Sequence, residues 1–361
     1  MNKKFSKKNN LLFILTIAVL FICANSSEIA KRDLVNNSSQ SSNNYSSSYG
    51  KEYEYNYSEN SNNQFNFEYG QTYYADKTPV IGLAIASTDM PYYSETIKSV
   101  IAEAQKKGAN VSLMNANWNL QVQQSQISSL ISQKVNAIIL FPVDPGQLSA
   151  SVMKIKEANI PLVNLNVKLD SIVGDLVDSF VGINTTEQGE LAAELMAEAL
   201  KKGGGNVAIL ESETESDDQA SRVAEFKNKI ATVSNIKITM VIKASANEIE
   251  GAMRNYLKCH PETDGIYIDD SNDIDACITA IQPSKLKNKI KLVSVDQSQF
   301  VYKYIKSGEL YGVVIGSPIW EGQQAVDCAI DIINGKKTNI WYKDTLYIVT
   351  AKNLDKIKAL W

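Results

Sequence analysis

The stretch DDQASRVAEF, at residues 217–226, contains an arginine in a chain that otherwise uses lysine for positive charge. Of the 36 Lys plus Arg residues, only Arg32, Arg222 and Arg254 are arginine. A guanidinium is a rigid fork of five donors, which a lysine ammonium cannot replace. Asp218 precedes Arg222 by one helical turn, so a helix here would place an acceptor and a donor on one face. We therefore expect Arg222 to grip a specific set of oxygen atoms.

Polar and aromatic side chains follow several short apolar runs that have the composition of buried strands. They are Ser87, Asp89, Tyr92 and Tyr93 after VIGLAIA, Asn166 after IPLVNL, Asp269 and Asp270 after GIYI, and Asp296 after IKLVSV. Carboxylate and amide oxygens accept from hydroxyls, arginine donates to oxygens, and aromatic rings cover the C–H face of a sugar. The combination is typical of a site for a polyhydroxy ligand. The alternative for each aspartate is a helix N-cap or a solvated loop.

Catalytic and metal-binding motifs are absent from the sequence. His260 is the only histidine, which argues against a Ser-His-Asp triad or a multi-histidine metal site. The GGG at 203–205 precedes a strand pattern instead of opening a helix, so it lacks the context of a dinucleotide site. Asp269 and Asp270 are neighbours on a strand, so their side chains point to opposite faces and we do not expect them to converge as a catalytic pair. A net charge of −4 provides no basic field for nucleic acid. We expect no enzyme, no cofactor and no metal.

The N-terminus has the pattern of a secretory signal. Four lysines precede an apolar run from Leu11 to Cys23, which is too short for a permanent membrane span. We predict a signal peptide over residues 1–24 and therefore a secreted or extracytoplasmic protein. A lipid anchor at Cys23 is the less favoured alternative, because Ile22 is bulky where such signals have a small residue. Export leaves Cys259, Cys277 and Cys328, whose odd number allows at most one disulfide.

Residues 25–77 are dominated by asparagine, serine and tyrosine and contain few aliphatic side chains. A segment of this composition cannot bury a core, so we predict a disordered tether. N-x-S/T triplets within it, for example at Asn44 and Asn56, would be glycosylation acceptors in a eukaryotic secretory pathway.

From Thr78 onward, short β-branched runs alternate with helical patterns of 10–15 residues. Such alternation predicts a parallel, doubly wound sheet. The alternation begins again at SFVGI, so we predict two Rossmann-like α/β lobes in one chain. Ligands of such sheets lie beyond the carboxyl ends of the strands, where the residues singled out above are found.

From about Thr78 to about Ile348 the chain resembles the type I periplasmic binding proteins, in particular the ribose- and galactose-binding receptors of ABC transporters. The resemblance rests on the order and spacing of stretches such as VNAIILFPVDP, INTTEQGELAAELMA, HPETDGIYIDDSND and SPIWEGQQAVDCAIDIINGKK. It implies two lobes that are joined by a three-segment hinge and close on a sugar. It places the crossovers near Ile183, Gly316 and Tyr347, with Ile183 and Gly316 as hinge residues.

With these crossovers, residues 78–183 and 317–346 would form the N-terminal lobe. Residues 184–316 and 347–361 would form the C-terminal lobe.

The resemblance also assigns roles to individual residues. Tyr92 and Tyr93 match the aromatic residues that family members place against the sugar. Arg222 matches the sugar-gripping arginine of an R-x-x-x-aromatic pattern, and Asp218 matches a carboxylate seen in hexose binders. The other matches are Asn166, Asp270 and Asp296, each at the end of its strand. Ser87 and Asp89, which end the first strand, complete the predicted ligand-binding set.

Two departures from the family leave the ligand open. The family usually has a second stacking aromatic before the helix that begins near Ala246, where this chain reads KASANE. Gly316 stands where the family often has asparagine or glutamine. Asp218 favours a hexose over a pentose, and the missing aromatic weakens that preference.

The resulting hypothesis is a monomeric receptor that binds a pentose or hexose between its lobes and delivers it to a membrane permease of the ABC type. The alternative is a secreted or surface carbohydrate-binding or sensor module that works without a transporter. The tether and its N-x-S/T triplets favour that alternative.

Overall fold

The computed structural model describes residues 58–59, 65–66, 78–212, 217–296, 298 and 300–357. The predicted signal peptide and most of the predicted tether lie outside the described residues. Within the tether region, β1 (Ser58–Glu59) pairs with β2 (Phe65–Asn66) in antiparallel orientation.

The other strands of the described residues form two six-stranded sheets. In chain order they are β3 (Val80–Ile85), β4 (Asn110–Asn115), β5 (Ala137–Leu140), β6 (Leu162–Leu165), β7 (Ser179–Gly182), β8 (Gly205–Ser212), β9 (Ile236–Ala244), β10 (Thr263–Ile268), β11 (Lys291–Val295), β12 (Gly312–Ile315), β13 (Trp341–Lys343) and β14 (Tyr347–Thr350).

Helices follow most of these strands. They are α1 (Pro91–Lys106), α2 (Leu120–Ser132), α3 (Ser149–Glu157), α4 (Ser171–Gly174), α5 (Thr185–Leu200), α6 (Asp217–Ala231), α7 (Ile249–Cys259), α8 (Ile274–Ile281), α9 (Val301–Ser307), α10 (Pro318–Ile333) and α11 (Leu354–Ile357).

The first sheet has the order β4-β3-β5-β6-β7-β13, and all of its strand pairs are parallel. The sequence VIGLAI of β3 is buried at every position, as expected for a strand that is covered by helices on both faces. Separate apolar clusters lie on the two faces, one beneath α1 and α10 and the other beneath α2 and α3. This sheet and its helices are called the first lobe below.

The second sheet has the order β9-β8-β10-β11-β12-β14. Its strands are parallel except β14, which runs antiparallel to β12. Two apolar clusters again cover its faces, one built around α5 and α6 and the other around α7, α8 and α9. This sheet and its helices are the second lobe. The prediction of two parallel-sheet α/β lobes is therefore confirmed.

The chain passes between the lobes three times. It leaves the first sheet after β7 and enters α5, which packs on β10, β11 and β12. It returns after β12 through α10, which packs on α1 and on β5, β6 and β7. It crosses again between β13 of the first sheet and β14 of the second. Ile183 and Gly316 lie in the first two connections, and their role as hinge residues stays a prediction.

The three cysteines of the described residues, Cys259, Cys277 and Cys328, are free thiols. Cys277 and Cys328 are buried in the second and first lobes and act there as small apolar side chains. Cys259 is exposed.

A glycine allows α5 and α6 to approach each other closely. A Cβ atom at Gly189 of α5 would lie 2.1 Å from the backbone oxygen of Arg222 on α6. That distance is far shorter than any real contact, so no larger residue fits unless α6 moves. The close approach fixes the position from which the Arg222 side chain starts.

We expect Gly189→Ala to push α6 away from α5 and to lower the free energy of unfolding by about 2 kcal/mol, as overpacked cores do. Urea denaturation measures the change. Gly251→Ala is the matched control, because it also lies in a helix and its added Cβ would meet nothing within 4 Å. The control should be neutral or gain up to about 1 kcal/mol from helix propensity. Equal effects of the two changes would contradict the close-approach argument.

Candidate functional site

The carboxyl ends of the parallel strands carry the predicted site residues of both lobes. The first lobe contributes the turn after β3, the start of α1, and Asn166 after β6. The second lobe contributes Asp270 after β10, Asp296 after β11, and Arg222 on α6. Because parallel strands end at one edge of a sheet, each lobe presents its polar residues along a single edge.

Arg222 lies at the centre of a buried hydrogen-bond network. Only 4% of its surface is exposed. Four of its N–H groups donate hydrogen bonds to other residues of the protein. Nε donates to Oδ1 of Asp269 at 2.8 Å, and Nη2 donates to the Asp269 backbone oxygen at 2.8 Å. Nη1 donates to Oε1 of Gln188 and to Oδ2 of Asp296, both at 2.9 Å. One guanidinium thus links α5, α6 and the ends of β10 and β11.

The partners of Arg222 are themselves held in place. Gln188 donates from Nε2 to Oδ1 of Asp296 at 2.8 Å and to the Val314 backbone oxygen at 3.1 Å. The Tyr267 hydroxyl donates to Oδ1 of Asp269 at 2.9 Å. Burial disfavours the charge of Arg222, but Asp296 and Asp269 outweigh it and raise the pKa of Arg222 well above its usual value. The guanidinium therefore stays charged and fixed in one orientation.

This network changes the role expected of Arg222. Two-pronged donation to a ligand would require Arg222 to release one of its protein acceptors, because a guanidinium has five N–H groups. In the described state its main effect is to orient Asp296, whose carboxylate is 40% exposed, whereas that of Asp269 is only 2% exposed. Asp296 is thus the member of the network that is best placed to meet a ligand.

Two strand-end residues have left-handed backbone angles. Asn166 has φ of 64° and Asp296 has φ of 60°. This conformation is uncommon for residues other than glycine, although asparagine and aspartate tolerate it best. Backbone strain of this kind clusters at binding sites, where it aims a side chain. Each of these residues turns its chain sharply at the sheet edge on which the predicted site lies.

Tyr93 belongs to a group of aromatic rings at the strand ends of the first lobe. Its ring packs edge-on against Phe141 with centroids 4.3 Å apart, and it lies 5.5 Å from the Trp118 ring. Burial raises the pKa of Tyr93, and Asp296 and Asp270 of the second lobe raise it further. An aromatic ring of the first lobe therefore lies within electrostatic reach of carboxylates of the second lobe.

Glu321, in the first turn of α10, forms a second polar cluster that the sequence analysis did not include. Its side chain is fully buried, and its Oε2 accepts from Nδ2 of Asn166 at 2.9 Å. Burial raises the pKa of Glu321 to about 8, with a further contribution from Asp344. Burial also raises the pKa of Asp344 to about 6. Burial and Glu321 raise the pKa of Tyr92 in turn.

The other predicted residues have more local contacts. Ser87 is fully buried, and its hydroxyl accepts from the Asp89 backbone nitrogen at 3.1 Å, which stabilises the turn before α1. Asp89 itself is exposed. Asp270 accepts from the backbone nitrogen of Asn272 at 2.8 Å and so caps the turn after β10. The side chain of Asp218 lies outside the described residues.

Asp269 and Asp270 diverge as predicted from strand geometry. Asp269 accepts from Arg222, whereas Asp270 accepts from Asn272. The predicted ligand-binding set did not include Asp269, whereas the structure makes it a buried ionic partner of Arg222. Burial raises the pKa of Asp269 even beside that cation.

Three connections between the lobes meet beside this site. A Cβ atom at Gly316 would lie 2.7 Å from both Oδ2 of Asp344 and Cγ2 of Ile183. Asp344 also accepts from the backbone nitrogen of Ser317. Each of the three passages of the chain thus contributes one residue to a single point, which is the arrangement expected of a hinge.

Sequence reasoning missed Gln188, Glu321 and Asp344. The first two lie on helix faces that are otherwise apolar: Gln188 shares its stripe with Ala192, and Glu321 shares its stripe with Ala325. A lone polar residue on an apolar stripe was therefore the available signal. Asp344 follows a three-residue strand, and no pattern in the sequence indicated it.

Among the described residues, no group of three or more His, Cys, Asp or Glu side chains has an arrangement that could hold a metal ion. In the same part of the chain, no helix is both long and apolar enough to cross a membrane.

Comparison with known proteins identifies the family. A model of the periplasmic binding protein domain matches residues 81–337. The ribose import binding protein of Bacillus subtilis is 26% identical over 276 residues, which cover 75% of this chain and 87% of that protein. The xylitol-binding protein of Mycolicibacterium smegmatis is 26% identical over 262 residues, which cover 70% of this chain and 71% of that protein. These matches confirm the prediction of a binding protein rather than an enzyme.

Solved structures show the same fold. A periplasmic solute binding protein of an ABC transporter from Actinobacillus succinogenes, with bound D-allose, has a TM-score of 0.72 at 23% identity. The match covers 77% of this chain and 100% of that one. A solute binding protein from Bacillus halodurans, with bound myo-inositol, also has a TM-score of 0.72 at 23% identity and covers 80% of this chain and 99% of that one.

The buried carboxyl of Glu321 should make the unliganded protein less stable as pH rises. Its pKa is 4.5 when unperturbed and about 8 in the folded state. The folded state therefore binds more protons than the unfolded state between these values, and stability falls as pH rises through them. The shift corresponds to a loss on the order of 3–5 kcal/mol.

We expect Glu321→Gln to remove much of this loss, since an amide does not titrate. Thermal unfolding between pH 5 and pH 8.5 measures it. The variant should unfold at a higher temperature than the wild type at pH 8.5 and at a similar temperature at pH 5. Parallel pH profiles of the two proteins would show that Glu321 is not a source of the loss.

Proposed function

Because the chain belongs to the periplasmic binding protein domain family, we propose that it binds a monosaccharide or a closely related polyol between its two lobes. The observation that carries this proposal is the half-exposed Asp296 carboxylate, which Arg222 and Gln188 hold in place at the carboxyl ends of the second sheet. Carboxylate acceptors at this edge and the Tyr92 and Tyr93 rings at the strand ends of the first lobe suit a ligand ring with C–H faces and hydroxyls.

The fixed guanidinium supports this role. Arg222 holds the Asp296 carboxylate in one orientation, so that carboxylate does not lose side-chain entropy when a hydroxyl binds to it. Asp270 and Asn166 add an acceptor and an amide from opposite lobes. Ser87, Asp89 and Asp218 remain proposed members of the site, with contacts to the ligand that come from the turn before α1 and from the start of α6.

Binding works by closure of the lobes. Contacts with residues of both lobes favour the closed form over the open one, and the population shifts accordingly. The three connections that meet at Gly316, Ile183 and Asp344 would take up the rotation. Delivery of the ligand to a membrane permease by a monomeric, extracytoplasmic receptor is the remaining part of the proposal.

The matched relatives support a panel of test ligands. Ribose, xylitol, D-allose and myo-inositol appear in the names of those proteins, and galactose and glucose extend the set to common hexoses. A ligand that binds only the folded state raises its stability by about 2.7 kcal/mol at a concentration of 100 times Kd. Thermal unfolding with each sugar, followed by calorimetric titration of the best one, tests the proposal. Absence of a thermal shift with every sugar and polyol of the panel would contradict it.

We expect Arg222→Lys to weaken binding of the best ligand at least tenfold, because a lysine cannot hold Asp269, Gln188 and Asp296 together. Calorimetric titration measures the affinity, and circular dichroism verifies that the variant is folded. Arg254→Lys is the matched control, since Arg254 pairs with Glu250 on the surface of α7. Equal affinities of the two variants would contradict the role given to Arg222.

A further inference from the structure

Trp118 extends the aromatic group of the first lobe to the protein surface. It lies three residues after β4, at the carboxyl end of the first sheet, and it is 44% exposed. The centroid of its ring lies 5.5 Å from that of Tyr93, which in turn lies 4.3 Å from that of the fully buried Phe141. The three rings therefore form a row that leads from the core of the lobe to solvent.

The backbone at Trp118 is strained. Asn117 and Trp118 have φ of 49° and 60°, so two consecutive residues lie in the left-handed region. Asparagine tolerates this conformation, whereas for a bulky residue such as tryptophan it is an outlier. Strain of this kind clusters at binding sites, where the surrounding structure enforces it. Burial of the indole does not account for the strain here, because the residue remains exposed.

Hydrogen bonds hold the Trp118 loop against the turn after β3. The Trp118 backbone nitrogen donates to the Ala86 backbone oxygen at 2.8 Å, and Asn115 donates from Nδ2 to Oγ1 of Thr88 at 2.9 Å. Asp89, which is exposed, directly follows Thr88. The loop thus places an exposed indole beside a turn with an exposed carboxylate. An aromatic face and a hydroxyl acceptor are the groups that bind the two kinds of surface of a sugar ring.

The position of β4 in the first sheet places Trp118 on the open side of the proposed cleft. The chain leaves this sheet from β7 and β13, which lie together at one end of the order β4-β3-β5-β6-β7-β13. The strand at the opposite end is β4. Lobes that rotate about connections at one edge separate most at the other edge. Trp118 therefore lies where a ligand between the lobes is nearest to solvent.

We propose that Trp118 forms an outer binding site for a second ring of the ligand, so that the receptor accepts glycosides. This inference rests on the proposed function and widens the ligand class of the same cleft. The first sugar ring meets Asp296, and the second ring covers the exposed face of the indole. A second sugar unit stacks there through its C–H face, with Asp89 as a hydroxyl acceptor, and an aromatic aglycone stacks through its π-system.

Methyl and phenyl glycosides separate the effect of a second ring from that of a small substituent. Both groups occupy the same position on the sugar, but only the phenyl group can stack on Trp118. The test is calorimetric titration of the purified full chain with glucose, galactose and ribose, and with the methyl and phenyl glycosides of each in both anomeric forms. Lactose and cellobiose carry a second sugar in place of the phenyl group. We expect a phenyl glycoside or a disaccharide to bind about tenfold more tightly than the matching methyl glycoside.

Trp118→Ala should remove this preference and leave the affinity for the methyl glycoside unchanged. Trp118→Phe should keep most of the preference, because phenylalanine still offers an aromatic face. Met153→Ala is the matched control, since Met153 is an apolar residue of α3 in the same lobe with a similar exposure of 45%. Circular dichroism verifies that each variant is folded.

Tryptophan emission provides a second readout of contact. A ring that covers the indole removes it from water, so the emission of the wild type should shift to shorter wavelength when the ring-bearing ligand binds. Trp118→Phe should lose the shift while it keeps the affinity. An unchanged shift in that variant would show that the ligand ring does not cover Trp118.

The outcomes separate this inference from the proposed function. Equal affinities for methyl and ring-bearing ligands, or exclusion of all glycosides by a protein that binds a free sugar or polyol, would overturn the inference and leave the receptor in place. A preference that survives Trp118→Ala would place the second ring elsewhere. Equal weakening of every ligand by Trp118→Ala would make the indole a support for the first ring and would also refute the outer site. Absence of binding with every sugar, polyol and glycoside would overturn both proposals.

Discussion

The buried guanidinium of Arg222 is the constraint on which the rest of the second lobe's binding edge depends. It holds the side chain of Asp269, the side chain of Asp296 and Gln188 at the same time. Removal of one partner from a buried ion pair typically costs about 3–5 kcal/mol, because the other charge is left uncompensated. The arrangement is therefore cooperative. Four donors of one rigid group give the strand-end carboxylates a single geometry, and the close packing of α5 at Gly189 fixes the helix that carries it.

The two polar clusters of the site solve the problem of buried charge differently. Around Arg222, charge is balanced within the protein, and the pKa of the guanidinium rises. Around Glu321, burial raises the pKa values of Glu321 and Asp344 to about 8 and about 6, and Asp344 adds to the rise at Glu321. The first cluster is thus held by ion pairs and hydrogen bonds within the protein. The second depends on protonation, so its charge changes with pH.

Sequence periodicity predicted most of the fold because buried parallel strands and amphipathic helices leave strong local patterns, as in VIGLAI of β3. The strand-end rule also led to Asn166, Asp270 and Asp296, which follow β6, β10 and β11, and to Arg222 on α6. It could not indicate which acceptors the protein itself would occupy. Arg222 donates to Gln188 and Asp269, although the sequence analysis expected these donors to bind a ligand. Their pairing with Arg222 depends on how β10 lies beside α5. Glu321 looked like an ordinary first-turn acid of α10, since its burial arises only when α10 packs on α1.

The position of Glu321 also connects the site to the hinge. It lies one turn after Ser317, whose backbone nitrogen donates to Asp344 at the point where the three connections meet. Asp344 and Glu321 raise each other's electrostatic cost while both are ionised. Neutralising one of them relieves the other, and the relief acts at the point where the three connections between the lobes meet.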